Sequence, residues 1–250
     1  RDSFKVESKK EKIADFKTAI SSTVRSLSNS EKIEVSFGND STKSGRNSIR
    51  LPELSSINKK INYNQIRAMA DSKSLRHRFS DPRLFKQYEP DGNISKQLYR
   101  ISEKIRCEKI GTSYFKGVKN NIETFYQERI SSLDLKSSED KIVESFENYL
   151  RTKFLDFENN SQIDKKLKSY KKDLNEKFKD KIGQLNDLTL NQEKFNSLIS
   201  ELIADMNLDE NLDEEDKKDD DKNNDDKQNK PDNLEKQAKE KEDKKEEMSI

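Results

Sequence analysis

The sequence predicts a mainly α-helical protein: a helical domain with a small β-hairpin near the N-terminus, followed by a disordered acidic tail. Three observations carry that expectation. Apolar residues recur at steps of three and four through most of the first 208 positions, the spacing that lines one face of a helix. One short segment alternates with period two instead, as a half-buried strand does. After Leu208 the apolar signal stops. Residues 209–247 offer only Leu212, Leu234 and Ala238 as apolar side chains, too few to offset the entropy lost in ordering a backbone.

Taken in order, Ile13, Phe16, Ile20, Val24 and Leu27 form one stripe and predict a helix over 8–28, ended by Asn29 and Ser30. Ile33, Val35 and Phe37 alternate with Lys32, Glu34 and Ser36, and Ile49-Arg50-Leu51 can pair back before Pro52, which predicts a hairpin at about 32–52. Residues 55–64 read as a polar connector. A helix is expected from Tyr63 to Phe79, broken at Asp81-Pro82 because proline disfavours helix in the residue before it. Glu89-Pro90-Asp91-Gly92 is a turn by composition, and Asn93 or Ser95 is the expected cap of the next helix. That helix carries Ile94, Leu98, Ile101 and Ile105 and is expected to stop at Gly111. Phe115 to Ile130 gives a further stripe and an antiparallel partner for it. Ile142 to Phe154 follows, capped by Ser137 or Ser138. Ile163, Leu167, Tyr170, Leu174, Phe178, Ile182 and Leu185 suit one long coiled-coil-like seam. Phe195 to Met206 makes the last helix. The expected division is therefore 8–208 as helical body and 209–250 as acidic spacer.

Only 29% of the 250 residues are hydrophobic and 40% are charged, so the core is small for the length. The net charge of +1 hides an asymmetry: residues 209–250 hold 18 acids and 10 lysines, against 40 bases and 31 acids in the rest. A basic body fits nucleic acid, an acidic partner surface or simply a solvated lysine-rich exterior. One cysteine, Cys107, allows no intramolecular disulfide. No apolar run approaches the roughly 18 residues of a membrane span, and the first dozen residues lack the apolar core of a secretory signal. A cytoplasmic protein without membrane contact is expected. The first residue is Arg rather than Met, which points to a fragment.

Chemistry-bearing motifs are scarce. The chain holds no phosphate-cradling GxxxxGK[ST] and no GxGxxG. A single His and a single Cys make no zinc constellation of three or four such ligands. His77 lies between Arg76 and Arg78 with no nucleophile elbow in the chain, so surface or packing duty outweighs catalysis. Cys107 reads as a small side chain beside a helix seam. Arg67, Arg76, Arg78, Arg83, Arg100 and Arg106 stand out in a lysine-rich background. The planar guanidinium fork suits fixed contacts with carboxylates, internal or across an interface. A nucleic-acid surface would want more interleaved aromatics. No catalytic, cofactor-binding or metal-binding residue is assigned.

Residues 68–117 nevertheless carry a family likeness. Ala70-Asp71-Ser72 with Leu75-Arg76, then Asp91-Gly92, Ile105-Arg106-Cys107-Glu108-Lys109-Ile110-Gly111, Lys116-Gly117-Val118 and Asn121 resemble the N-terminal half of the CobT-type subunit of aerobic cobaltochelatase. Phe16-Lys17, Glu34 to Phe37 and Arg50-Leu51-Pro52 upstream, and Leu202 to Met206 with Asp213-Glu214-Glu215-Asp216 downstream, extend it in register over about 10–220. The resemblance implies a noncatalytic subunit of an ATP-dependent complex that inserts cobalt into hydrogenobyrinic acid a,c-diamide during cobalamin biosynthesis, a ligase forming nitrogen–metal bonds. It implies an AAA+ ATPase partner, a large corrin-binding chelatase subunit and ring-forming homo-oligomers. ATP, Mg and cobalt are used by that complex, with no cofactor bound by this chain. The family's C-terminal von Willebrand factor A domain and its DxSxS metal site match nothing in these residues, so its Mg site is carried over to none of them. Asp71, Ser72, Arg76, Arg78 and Arg106 are the candidate partner-contact or family-motif residues. A helical adaptor unrelated to corrins and a basic nucleic-acid module are the alternatives.

Overall fold

A computed structural model describes residues 2–38, 45, 47–54, 62–135 and 137–208, with side chains from residue 10 onward apart from Gln162, Lys166 and Ser169. The expected acidic spacer at 209–250, most of the loop after Gly38 and residues 55–61 of the connector lie outside the described residues. The elements are α1 (Asp2–Ser28), β1 (Glu34–Phe37), β2 (Ser48–Leu51), α2 (Tyr63–Phe79), α3 (Pro82–Gln87), α4 (Asn93–Tyr114), α5 (Lys116–Ser132), α6 (Ser138–Lys153), α7 (Ser161–Lys166), α8 (Lys168–Phe178), α9 (Ile182–Asp187) and α10 (Gln192–Ala204). They divide into two units. Among the described residues, one comprises those up to Ser80 and residues 107–129; the other comprises 81–106 and those from 130 to 208.

In the first unit, α1 buries the predicted stripe, with Ile20, Val24 and Leu27 buried and Ile13 and Phe16 half-buried. It ends as its sequence asks. Asn29 takes the left-handed conformation (φ 53°) and the Ser30 N–H reaches back to the Arg25 carbonyl at 3.1 Å, a Schellman closure. The strands differ from expectation: β1 and β2 pair in parallel, Val35 opposite Ile49 and Phe37 opposite Leu51, so there is no hairpin. Alternation fixes which side chains share a face, and these four apolar residues do face one core. It does not encode strand direction, and the ten residues between the strands are too many for a tight turn to force antiparallel pairing.

Helix α2 has the predicted bounds, capped by Asn62, whose side chain accepts from the Gln65 N–H at 3.0 Å. Its Ala68, Met69 and Ala70 are fully buried, the small residues letting α1 approach closely. The expected stop at Gly111 is overturned, because α4 continues through it to Tyr114. A Cβ built on Gly111 would lie 2.4 Å from both Leu75 methyl carbons, so the glycine makes room for α2 rather than ending a helix.

In the second unit, Asp81-Pro82 does more than break α2. The Asp81 carboxylate accepts from the Arg83 N–H at 2.8 Å and Pro82 occupies the first turn, so the pair also starts α3. Neither Asn93 nor Ser95 caps α4. Both lie inside it, and the Gly92 carbonyl, with φ at 86°, accepts the first helical bond from Lys96 at 3.1 Å. Ser137 does cap α6, accepting from the Asp140 N–H at 3.0 Å. The long seam is broken: α7, α8 and α9 replace it, interrupted at Leu167 and at residues 179–181. Phe178 closes α8 against α6, edge-on to Phe146 at 5.6 Å and to Tyr149 at 6.1 Å. That bulky contact across two helices holds the short α8 in place, where a continuous rod would carry the chain past α6.

Candidate functional site

Part of the family likeness, Asp71, Ser72, Leu75, Glu108, Gly111 and Asn121, comes together on α2, the last turns of α4 and α5, all in the first unit. Three rungs join them. The Asn121 side chain donates to an Asp71 carboxylate oxygen at 2.8 Å. The Ser72 hydroxyl donates to Glu108 Oε1 at 2.6 Å. Leu75 fills the notch left by Gly111. Asp71 and Ser72 are each 3% exposed and Glu108 is fully buried. Burial pushes the Asp71 carboxyl up to about 6, against smaller downward pulls from the Asn121 hydrogen bond and the Arg67 charge. A buried polar group needs a partner to avoid an uncompensated loss of hydration. These rungs supply it while fixing how α2 lies against α4 and α5.

The second unit holds a comparable device on the earlier part of α4. Residues 101–106 are all buried, although Glu103, Lys104 and Arg106 are charged. Arg106, 1% exposed, grips Glu103 with two parallel hydrogen bonds of 2.8 Å, donates to the Thr189 carbonyl at 2.9 Å and lies over the Phe195 ring. Beside it, Glu147 Oε1 accepts from Arg151 at 2.9 Å and sits 3.4 Å from the Lys104 ammonium. The sequence reading did not single out Glu103, Glu147 or Arg151. Their i,i+3 and i,i+4 spacings were the available signal.

Of the five candidate residues, Asp71 and Ser72 share the three-rung seam, and Arg106 belongs to the second unit's interior. Arg76 is half-buried and Arg78 exposed. With His77 they form the last turn of α2, where positive charge complements the helix dipole. Arg78 also donates to the Leu27 carbonyl at 3.3 Å. With Phe79, Tyr114 and Phe115 it lines a shallow open depression, and Tyr114 is 67% exposed there. Nδ1 of His77 is buried and meets no hydrogen-bond partner among the described residues. Arg100 lies 3.6 Å from Glu89 and Arg83 3.6 Å from Asp81, so arginine–carboxylate pairing within the chain recurs beyond Arg106. Among the described residues no group of three or more His, Cys, Asp or Glu side chains could hold a metal ion, and no helix is long and apolar enough to cross a membrane.

Fold and site together define a mainly helical protein whose interior charges pair helices with one another. Comparison with known families places it further: the chain belongs to the family described as "Cobalamin biosynthesis protein CobT", which matches residues 10–249. Membership implies a part in cobalamin biosynthesis as a subunit of a chelatase. No solved structure matches the chain.

Proposed function

We propose that this chain is a noncatalytic docking and coupling subunit of the ATP-dependent cobaltochelatase. It binds the AAA+ ATPase and transmits that partner's nucleotide-driven changes to the large subunit, which inserts cobalt into hydrogenobyrinic acid a,c-diamide. Family membership supports the chelatase setting. The observation that carries the coupling role is the use of the motif residues. Asp71, Ser72, Glu108 and Asn121 bond to one another between helices rather than converging on an open cleft. Helices keyed in this way move as a body, as transmission of a conformational change demands. The depression bearing Tyr114 and Arg78 is the surface we assign to the partner, since it sets exposed aromatic area beside a cation, a combination common in interface hot spots.

The test is reconstitution of the full chain with the ATPase and the large subunit, following cobalt insertion by the corrin absorbance and ATP hydrolysis by phosphate release. Omitting this chain abolishes insertion. Tyr114→Glu, with unchanged circular dichroism, weakens its retention by the ATPase and raises the ATP consumed per cobalt inserted. A folded chain that fails to bind the ATPase, or that inserts cobalt unaided, overturns the proposal.

A further inference from the structure

The basic charge of the body is concentrated. Residues 165–181 hold eight lysines and three acids, a net of +5 within 17 positions. Most of that stretch is α8, which turns Leu174 and Phe178 inward. Lys168, Lys172 and Lys179 are exposed, and at 100° per residue they fall on one side of the helix. The local acids do not neutralise them: Lys172 reaches only Glu176, at 4.0 Å, and the two side chains are 80% and 67% exposed, a pairing that solvent weakens. At the inner edge Lys171 is paired with Asp164, and burial first and then repulsion from Lys153 of α6 hold it below the ordinary lysine value.

The acidic charge is concentrated too. Residues 209–226 hold eleven acids and three lysines, net −8, whereas residues 227–250 balance at seven of each. The geometry brings the root of the acidic segment to the basic helix. Lys177, one residue before the end of α8, donates from its ammonium to the Asp205 carbonyl at 2.9 Å, four residues before the segment begins. From Lys177 to Lys168 along the helix is about 14 Å. Eighteen residues can extend to about 60 Å, so the tether imposes no limit. Tethering also keeps the local concentration of the segment in the millimolar range, where weak ionic contacts accumulate.

We propose that residues 209–226 dock on the lysine face of α8, as an intramolecular clamp that occupies this surface until a competing polyanion or acidic partner displaces it. The inference is independent of the chelatase reading. It needs only the charge distribution and the Lys177–Asp205 contact.

Zero-length carbodiimide cross-linking of the full chain, followed by peptide mass spectrometry, tests it. At low salt, cross-links from Lys168, Lys172 and Lys179 to carboxylates of 209–226 exceed those to equally exposed lysines elsewhere, such as Lys86, by about fivefold or more. They fall to the background in about 1 M salt, where the screening length is about 3 Å, and added polyglutamate competes them away. Charge reversal by Lys168→Glu, Lys172→Glu and Lys179→Glu releases the segment. Cross-links spread evenly over all exposed lysines, indifferent to the reversal, overturn the proposal. So do cross-links found only between two copies and lost on dilution.

Discussion

Replacing Gly111 with alanine tests whether this glycine is a packing notch or an ordinary helical position. At an open site the change stabilises a helix by about 1 kcal/mol, the difference in propensity. Here the new methyl would lie 2.4 Å from Leu75 Cδ1 and Cδ2 and 2.9 Å from Cγ. Leu75 is fully buried, so its side chain must shift within the core to admit the methyl. Overpacking a well-filled core costs about 1–3 kcal/mol, and two contacts this short argue for the upper end. The expected net loss is about 2 kcal/mol, or a fall in Tm of about 4–8 °C for a chain of this size. Urea denaturation followed by far-UV circular dichroism reads it as a lower midpoint at constant slope. A double-mutant cycle isolates the contact. Leu75→Ala alone should cost about 2–5 kcal/mol through the cavity it leaves. In the double variant the added methyl occupies part of that cavity, so the pair is coupled by about 1 kcal/mol or more. If Gly111→Ala stabilises the chain, or the two losses simply add, the notch argument fails.

Other expectations follow from the same contacts. Asp71 has a folded-state value of about 6 against an ordinary 3.8. Its contribution therefore favours the fold fully below about pH 4 and is lost as pH rises through 6, a difference of about 3 kcal/mol. Asp71→Asn, which can still accept from Asn121, should flatten that stretch of the urea-midpoint profile and stabilise the chain at pH 7; an unchanged profile assigns the pH dependence elsewhere. Arg106→Ala should cost about 3–5 kcal/mol by leaving Glu103 charged and buried, whereas replacing Glu103 and Arg106 together with Leu and Met should cost far less, as calorimetric stability would show. Ser137→Ala removes the α6 cap and should lose about 1 kcal/mol, visible as faster amide exchange in the first turn of α6 and not in α10.

Much of the helical body was legible in the sequence because periodicity and caps act locally. Tyr63 and Phe79 bound α2 as expected, Asn29 ends α1 and Ser137 starts α6. The errors arose where a local signal has two meanings. Proline after aspartate both stops one helix and starts the next, which hid α3. Glycine suits a helix end and equally a close helix crossing, and at Gly111 only Leu75, 36 residues away in sequence, decides between them. Alternation in Val35, Phe37, Ile49 and Leu51 told which face is buried without telling strand direction. The breaks at Leu167 and residues 179–181 carry no proline or glycine, so packing on α6 rather than propensity shortens those helices. For the candidate residues, the family likeness drew attention to Asp71, Ser72 and Arg106. Asn121 and Glu108 become evident as partners of Asp71 and Ser72 only once the helices are set side by side, whereas Glu103 lies three residues before Arg106 on the same helix.

The rungs between α2 and its neighbours also constrain sliding. A slip of one helical turn, about 5.4 Å, would detach Asp71 from Asn121 and Ser72 from Glu108 in the same stroke, stranding two carboxyl groups in a dry interior. Leu75 would meanwhile ride out of its notch onto bulkier backbone. This cluster therefore resists shear the way a toothed rack does: a push on one helix arrives at the next undiminished instead of being lost in slippage.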